Sequence, residues 1–264
     1  MESSARGTAE KIEECAARLI ATSPAGHRLC LVGGYRYRLL DRSARLSLDI
    51  DYHWVGDLAE KQEEIQALLR RKLLPEIESR LGLAGTVERA TGPDADSPSV
   101  KTVEVAFFRT EVPRTRIELP IDITRIPCLD PPAARTAGGT VYLTVSDGDM
   151  VESKVIALFD RIFVSQRDMV DLFLFRDSLL PDSRARIERK LALRSLSRKS
   201  LERSLTKMRG NLEVHARAVD RILEDQVDVP VAENLKLAGG GRMICEAVSS
   251  LVERLLGPES RTKA

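Results

Sequence analysis

The chain has 264 residues, 43% of them hydrophobic and 31% charged, which is the makeup of a helix-rich globular protein with one large or two small domains. Lys and Arg (41) nearly balance Asp and Glu (40), and a formal net charge of +1 names no partner, so only the distribution of charge can. No apolar run reaches the length of a membrane span and the N-terminus, Met1 to Ala5, does not read as a secretory leader. The cysteines, Cys15, Cys30, Cys128 and Cys245, make no CxxC pair and with three lone histidines no zinc cluster. A cytoplasmic protein with reduced thiols is expected.

In chain order, residues 9–22 read as an amphipathic helix with Ile12, Cys15, Ala16, Leu19 and Ile20 on one stripe. The run Leu29 to Val32 reads as a short buried strand, broken by Gly33-Gly34. A short helix from Tyr35 to Arg42 follows, then a strand from Ser47 to Trp54. Alternation with a period of two places Ser47, Asp49 and Asp51 on one face of that strand and Leu48, Ile50 and Tyr52 on the other. Leu58 to Leu81 has helical spacing, with Pro75 a kink point. Strands are expected at Thr86–Ala90, Val100–Arg109, Arg116–Thr124 and Val141–Val145, with Pro127 to Gly139 irregular. From Asp149 the pattern is helical: a capping box Asp149 to Glu152 opens a helix to about Phe163, and further helices cover 167–180, 184–194, 198–209, 211–226 and 242–256. The organisation is α/β (α+β): a mixed sheet with flanking helices over 1–148, then an α-helical domain over 149–264.

Two carboxylates on one strand face beside a glycine turn make a poor core and a good seat for a divalent cation, because hard cations take carboxylate and phosphate oxygens. A glycine pair lets the backbone turn sharply and approach a bulky anion. A two-metal phosphoryl-transfer site needs a third carboxylate. Asp122, flanked by Ile121 and Ile123, is the choice, with Glu118 the fallback. Further on, Lys154, Leu158 and Arg161 share a helix face, and Asp168 and Asp171 share a face of the next helix. A lysine aimed at phosphates can neutralise charge that develops in a transition state. The plainer reading of this second cluster is a helix hairpin stapled by Arg–Asp pairs.

The ordered set Gly33-Gly34, Arg45-x-Ser47-x-Asp49-Ile50-Asp51, Glu152-x-Lys154 through Ala157-Leu158 to Arg161, and Arg167-Asp168 through Asp171-Leu172 resembles the AbiEii/MenT-type nucleotidyltransferase toxins of the polymerase-β-like superfamily. The resemblance spans roughly residues 27–175, with Gly34 standing where many relatives carry serine. It implies a nucleotidyltransferase fold and the Mg2+- or Mn2+-dependent transfer of a nucleotide from an NTP to RNA, with the tRNA 3′ end the expected acceptor. It also implies a growth-inhibiting toxin whose cognate antitoxin is encoded nearby. By the same resemblance Asp49 and Asp51 hold metal, joined by Asp122 on the strand argument above; Lys154 contacts the nucleotide phosphates, and Asp168 is an essential acid, with Asp171 still open for that role. Gly33, Gly34, Ser47, Arg36 and Arg161 form the expected nucleotide-binding set, and NTP and metal are expected between the sheet and the helical domain. A phosphate on Ser47 would add about −1.5 to −2 charges next to the metal carboxylates and silence the enzyme.

Ten basic residues between Arg184 and Arg209 face only Glu188 and Glu202, a density that suits the neutralisation of nucleic-acid phosphates. Arg186, Arg189, Lys190, Arg194, Arg198 and Lys199 are the expected RNA contacts. Two competitors remain: a small-molecule nucleotidyltransferase of the antibiotic-modifying kind, and a catalytically degenerate module that only binds RNA or a partner.

Overall fold

In the computed structural model the backbone is described for residues 2–91, 97–109, 112–160, 164–194, 196 and 198–256, and side chains for the same residues except 2–5, 112–115, 159–160, 198–202 and 204. The chain divides into two compact units. One comprises residues 1–42, 47–126 and 132–145, and the other residues 43–46, 127–131 and 146–264.

The first unit is built on β1 (Cys30–Val32), β2 (Ile50–His53), β3 (Ala84–Arg89), β4 (Val100–Arg109), β5 (Val112–Thr124), β6 (Ala133–Ala137) and β7 (Thr140–Thr144), with α1 (Glu2–Ala21), α2 (Gly33–Asp41) and α3 (Leu58–Leu81). The strands form one sheet in the order β3-β4-β5-β2-β1-β7-β6. The β2/β5 and β1/β7 pairs are parallel and the others antiparallel. Alternation along β5 sets its two faces: Leu119, Ile121 and Ile123 are buried, while Glu118, Pro120 and Asp122 are more exposed. The buried face joins Ile12, Ala16 and Ile20 of α1 and Ile65, Leu69, Leu73 and Ile77 of α3 in one apolar core. Carboxylates are thereby left to the opposite face.

Local chemistry explains the helix limits. At the start of α3 the Asp57 carboxylate accepts from the amides of Ala59 (2.8 Å) and Glu60 (2.9 Å), and at its end Gly82 takes the left-handed conformation (φ 64°) that other residues avoid. Pro75 stays within this helix.

The second unit contains α4 (Asp147–Asp160), α5 (Gln166–Phe175), α6 (Ser183–Leu193), α7 (Arg198–Gly210), α8 (Leu212–Gln226), α9 (Val229–Leu237) and α10 (Gly240–Leu256). Its core gathers Val151, Val155 and Leu158 with Met169, Leu172, Ile187, Val219, Leu223, Ile244, Val248 and Val252. No described helix is long and apolar enough to cross a membrane. All four cysteines are free thiols.

Three expectations change. The second strand begins at Ile50, and residues 48–49 form a bend, so Ser47 and Asp49 precede the pleat and Leu48 is 49% exposed. The segment expected to be irregular contains β6, which pairs in antiparallel register with β7 from Ala133↔Thr144 to Ala137↔Thr140. The supposed capping box at Asp149 lies inside α4: the hydroxyl of Ser146 accepts the Asp149 amide (3.0 Å), and both Asp149 and Glu152 are fully buried.

Candidate functional site

Two polar clusters stand out, one in each unit. In the sheet unit, β1 runs antiparallel to β2 with Val32 opposite Asp51, and β2 runs parallel to β5 with Asp51 opposite Asp122. Register therefore brings the two acids side by side on the face away from the apolar core. Gly33, directly after β1, has φ +73°, and a Cβ built on it would lie 1.9 Å from Asp51 Oδ2. The turn needs glycine twice over, for its backbone conformation and for the carboxylate lying across it. α2 begins at this glycine with no side-chain cap at its N-cap residue Val32, and the amides of an uncapped first turn suit an anion.

Hydroxyls hold two of the acids. Ser47 Oγ donates to Asp49 Oδ1 at 2.9 Å, and Thr102 Oγ1, on β4, donates to Asp122 Oδ1 at 2.5 Å. Thr102 escaped the sequence reading; its only signal is the β4/β5 register, which sets it opposite Asp122. Glu118, the fallback acid, is exposed and pairs with Arg116 at 3.2 Å. Glu13 of α1 also escaped notice. Burial first, then the charges of Glu10 and Asp49, push its carboxyl up to about 8 against the pull of Arg38. Ser47 is 5% exposed, so a modifying enzyme would reach its hydroxyl only after local opening.

Arg36, expected in the nucleotide-binding set, is buried. Its side chain is 1% exposed; it pairs with Asp41 and donates from Nε to Thr144 Oγ1 at 3.3 Å. Buried Tyr35 and Tyr37 flank it, and Arg38 pairs with Glu10 at 2.9 Å. Asp41, further along α2, also takes Arg135 of β6 at 3.1 Å. His53 is structural, its Nδ1 accepting from the amide of Ile126 at 3.1 Å.

In the helical unit, α4 and α5 bring Lys154, Asp168 and Asp171 together. Lys154 Nζ lies 2.7 Å from Asp168 Oδ1 and 3.0 Å from Asp171 Oδ2. Burial alone would lower the pKa of this lysine, but the two carboxylates outweigh burial and raise it above the ordinary range. Asp171 is likewise subject to burial, which raises its pKa, yet Lys154 and Arg45 bring it below the ordinary value. The fourth member is Arg45, whose Nε and Nη2 grip Asp171 at 2.6 and 2.8 Å. Ser165 caps α5 by accepting the Asp168 amide at 3.3 Å, which holds that acid in the first turn, where a helix favours negative charge. Arg161 lies outside the described residues.

The basic stretch needs the larger correction. Lys190 is 0% exposed and lies 2.6 Å from Asp149 Oδ1 and 2.8 Å from Glu152 Oε2. Arg186 pairs with Asp130 (2.7 Å), Asp149 (3.0 Å) and Glu152 (2.8 Å). The hydrogen bonds from Arg186 and from Ser146 hold the Asp130 carboxyl below its usual range. These two cations close an internal network, so Arg186 and Lys190, expected as RNA contacts, are withdrawn from the surface. Arg189 and Arg194 are exposed, as are Arg203 and Lys207. The side chains of Arg198 and Lys199 lie outside those described.

Asp49, Asp51 and Asp122 are the right donors for a hard cation, and the Asp51–Asp122 register fits one. Among the described residues, however, no three His, Cys, Asp or Glu side chains converge as a metal cluster; Asp49 and Asp122 are turned towards their hydroxyl partners. The backbone suits a metal, and the side chains would have to rotate to hold it.

No protein-family model matches the sequence, and no curated protein matches it. Among solved structures, a candidate nucleotidyltransferase from Helicobacter pylori is similar over 94% of this chain and 96% of its own, with a TM-score of 0.51 at 14% identity. JHP933 from Helicobacter pylori is similar over 94% of this chain and 90% of its own (TM-score 0.48, 14% identity). MenT4, a nucleotidyltransferase toxin from Mycobacterium tuberculosis, is similar over 67% and 62% (TM-score 0.48, 18% identity). What this chain shares with the first of them is a fold: an N-terminal mixed sheet with flanking helices, followed by a predominantly helical C-terminal region.

Proposed function

We propose that this chain is a nucleotidyltransferase that moves a nucleoside monophosphate from an NTP to an RNA acceptor, the tRNA 3′ end being the first to test, and that it acts as the toxin of a toxin–antitoxin pair. The observation that carries the reading is the meeting of Gly33, Asp51 and Asp122 at the open N-terminus of α2. An uncapped helix start beside two registered carboxylates is suited to a nucleotide's phosphates together with a cation. The fold shared with the Helicobacter pylori candidate nucleotidyltransferase supports it.

In this reading an acceptor hydroxyl oxygen bonds to the α-phosphorus, the bond to the β-phosphate oxygen breaks, and pyrophosphate leaves. The hydroxyl proton passes to a carboxylate of the Asp49, Asp51 and Asp122 group. Mg2+ or Mn2+, held by those acids, would supply charge neutralisation and polarise the phosphoryl oxygens. Gly33 and Gly34 give the backbone its close approach to the phosphates, and Lys154 is assigned the neutralisation of charge that develops in the transition state. Asp168 holds that lysine. Exposed Arg189, Arg194, Arg203 and Lys207 are assigned the RNA backbone, a smaller set than the count of basic residues suggested.

Incubation of the protein with labelled NTPs and total RNA, repeated with Asp51→Asn, tests this. Label on RNA that vanishes in the variant is expected. Label on a small molecule instead points to the antibiotic-modifying class, and the absence of any Asp51-dependent label would leave only a binding module.

A further inference from the structure

We infer that Arg45 is a positioning residue: through Asp171 it sets where the Lys154 ammonium is held. The inference rests on the transferase reading above. Arg45 is 3% exposed and is tied down along its length. Its amide donates to Ser43 Oγ at 3.1 Å and Nη1 donates to the Leu46 carbonyl at 2.7 Å, while the remaining nitrogens fork onto both oxygens of Asp171. Its backbone forms an antiparallel bridge with Val227, closed on either side by Leu46 N to Gln226 O (2.7 Å) and Asp228 N to Ala44 O (2.9 Å). The guanidinium thus has one place to be.

That rigidity passes to Asp171. Its side chain is 0% exposed, one oxygen taken by Nε of Arg45, the other divided between Nη2 of Arg45 and the ammonium of Lys154. Lys154 then rests between Asp168 and Asp171, with 14% of its side chain exposed. Arg45 and Lys154 balance Asp168 and Asp171, so the buried quartet is neutral. A planar fork can hold a carboxylate in one orientation where an ammonium could not. Without it, Asp171 would turn its whole charge on Lys154 and draw the ammonium off its place. Of the two acids of α5, Asp171 is the one that Arg45 grips, and both carboxylates hold the ammonium.

The test is the double variant Arg45→Met/Asp171→Leu, since replacing a buried ion pair by apolar side chains of similar size often leaves stability intact. Thermal unfolding and steady-state transfer are measured on the full chain, with and without Lys154→Ala. The expected outcome is cooperative unfolding near the wild-type Tm, kcat lowered about 100-fold by a misplaced charge, and KM for NTP within about threefold. Lys154→Ala should then cost far less in the double variant than in the wild type, because residues that act as one unit are not additive. A wild-type kcat in the double variant, or an equal cost of Lys154→Ala in both backgrounds, would overturn the inference. Should the double variant fail to fold, Arg45→Lys replaces it: that change keeps the charge and loses the fork, so kcat should fall about tenfold, and an unchanged kcat would refute the idea. A wild-type chain with no Asp51-dependent transfer would sink the transferase reading itself, a result distinct from all of these.

Discussion

Replacing Gly33 with alanine puts a methyl group where a carboxylate already lies. At φ +73° the new Cβ would stand 1.9 Å from Asp51 Oδ2, 2.6 Å from its Cγ and 2.7 Å from its Cβ. Real Cβ atoms essentially never approach other atoms within 3.0 Å, so the Asp51 oxygen must retreat by about 1 Å. Two costs add: the left-handed backbone, about 1–2 kcal/mol for a residue with a side chain, and the displaced acid, about 1–3 kcal/mol as overpacking. Gly82 separates them. Its φ is +64° and nothing lies within 4 Å of its added Cβ, so Gly82→Ala carries the backbone cost alone. Urea unfolding should therefore show Gly33→Ala losing roughly twice as much stability as Gly82→Ala. Transfer assays should show Gly33→Ala down about 100-fold, in line with a 1 Å misplacement, and Gly82→Ala unchanged. Equal losses of stability and equal activity in the two variants would refute the claim that Asp51 lies across the turn.

Glu13→Gln should flatten the dependence of stability on pH. The folded Glu13 titrates at about 8 against an ordinary 4.5, so between those values the folded state holds a proton that the unfolded state has lost, and wild-type stability falls as pH rises by up to about 1.4 kcal/mol per unit. The glutamine variant lacks this slope, and parallel stability curves from pH 5 to 8 would contradict it. Lys190→Met should cost about 3–5 kcal/mol by leaving buried Asp149 and Glu152 with Arg186 as the one cation of the pair that held them, yet scarcely alter the salt dependence of RNA binding; a large change in salt slope would return Lys190 to the surface. Arg194→Gln should do the reverse, lowering RNA affinity and its salt slope by about one counterion at constant Tm. Thr102→Val removes the hydroxyl that Asp122 accepts, and transfer should drop about tenfold through a looser acid, readable in kcat with KM steady.

What could be read from the sequence was whatever is local. α3 was readable over Leu58–Leu81 from the helical spacing of its apolar residues, and the structure adds Asp57 and Gly82 as the residues that close its two ends. β4 and β5 were readable from alternation. β6 was not, since Ala-Ala-Arg-Thr-Ala has one β-branched residue, Thr136, and no large apolar side chain, and only pairing with β7 makes it a strand. The juxtaposition of Asp51 with Asp122 needed a register that no single segment contains. The fate of the basic residues was least readable. Arg186 and Lys190 sit one turn apart on a helix, as solvent-facing cations do, but their acids come from Asp130, Asp149 and Glu152, far back in the chain. Arg36 is likewise buried and paired, with Asp41.

Residues 43–46 and 127–131 are integral parts of the helical unit, and this bears on anyone who would trim the gene. A polypeptide beginning at Ser146 would contain every helix from α4 onward and still lack the guanidinium that Asp171 grips and the carboxylate that Arg186 binds. Two interior ions would each lose a partner, and the fragment should be less stable than the same helices in the full chain. Ribosomal order imposes the same wait on the intact chain: Arg45 emerges early and must idle until Asp171 and the 226–228 stretch have been synthesised.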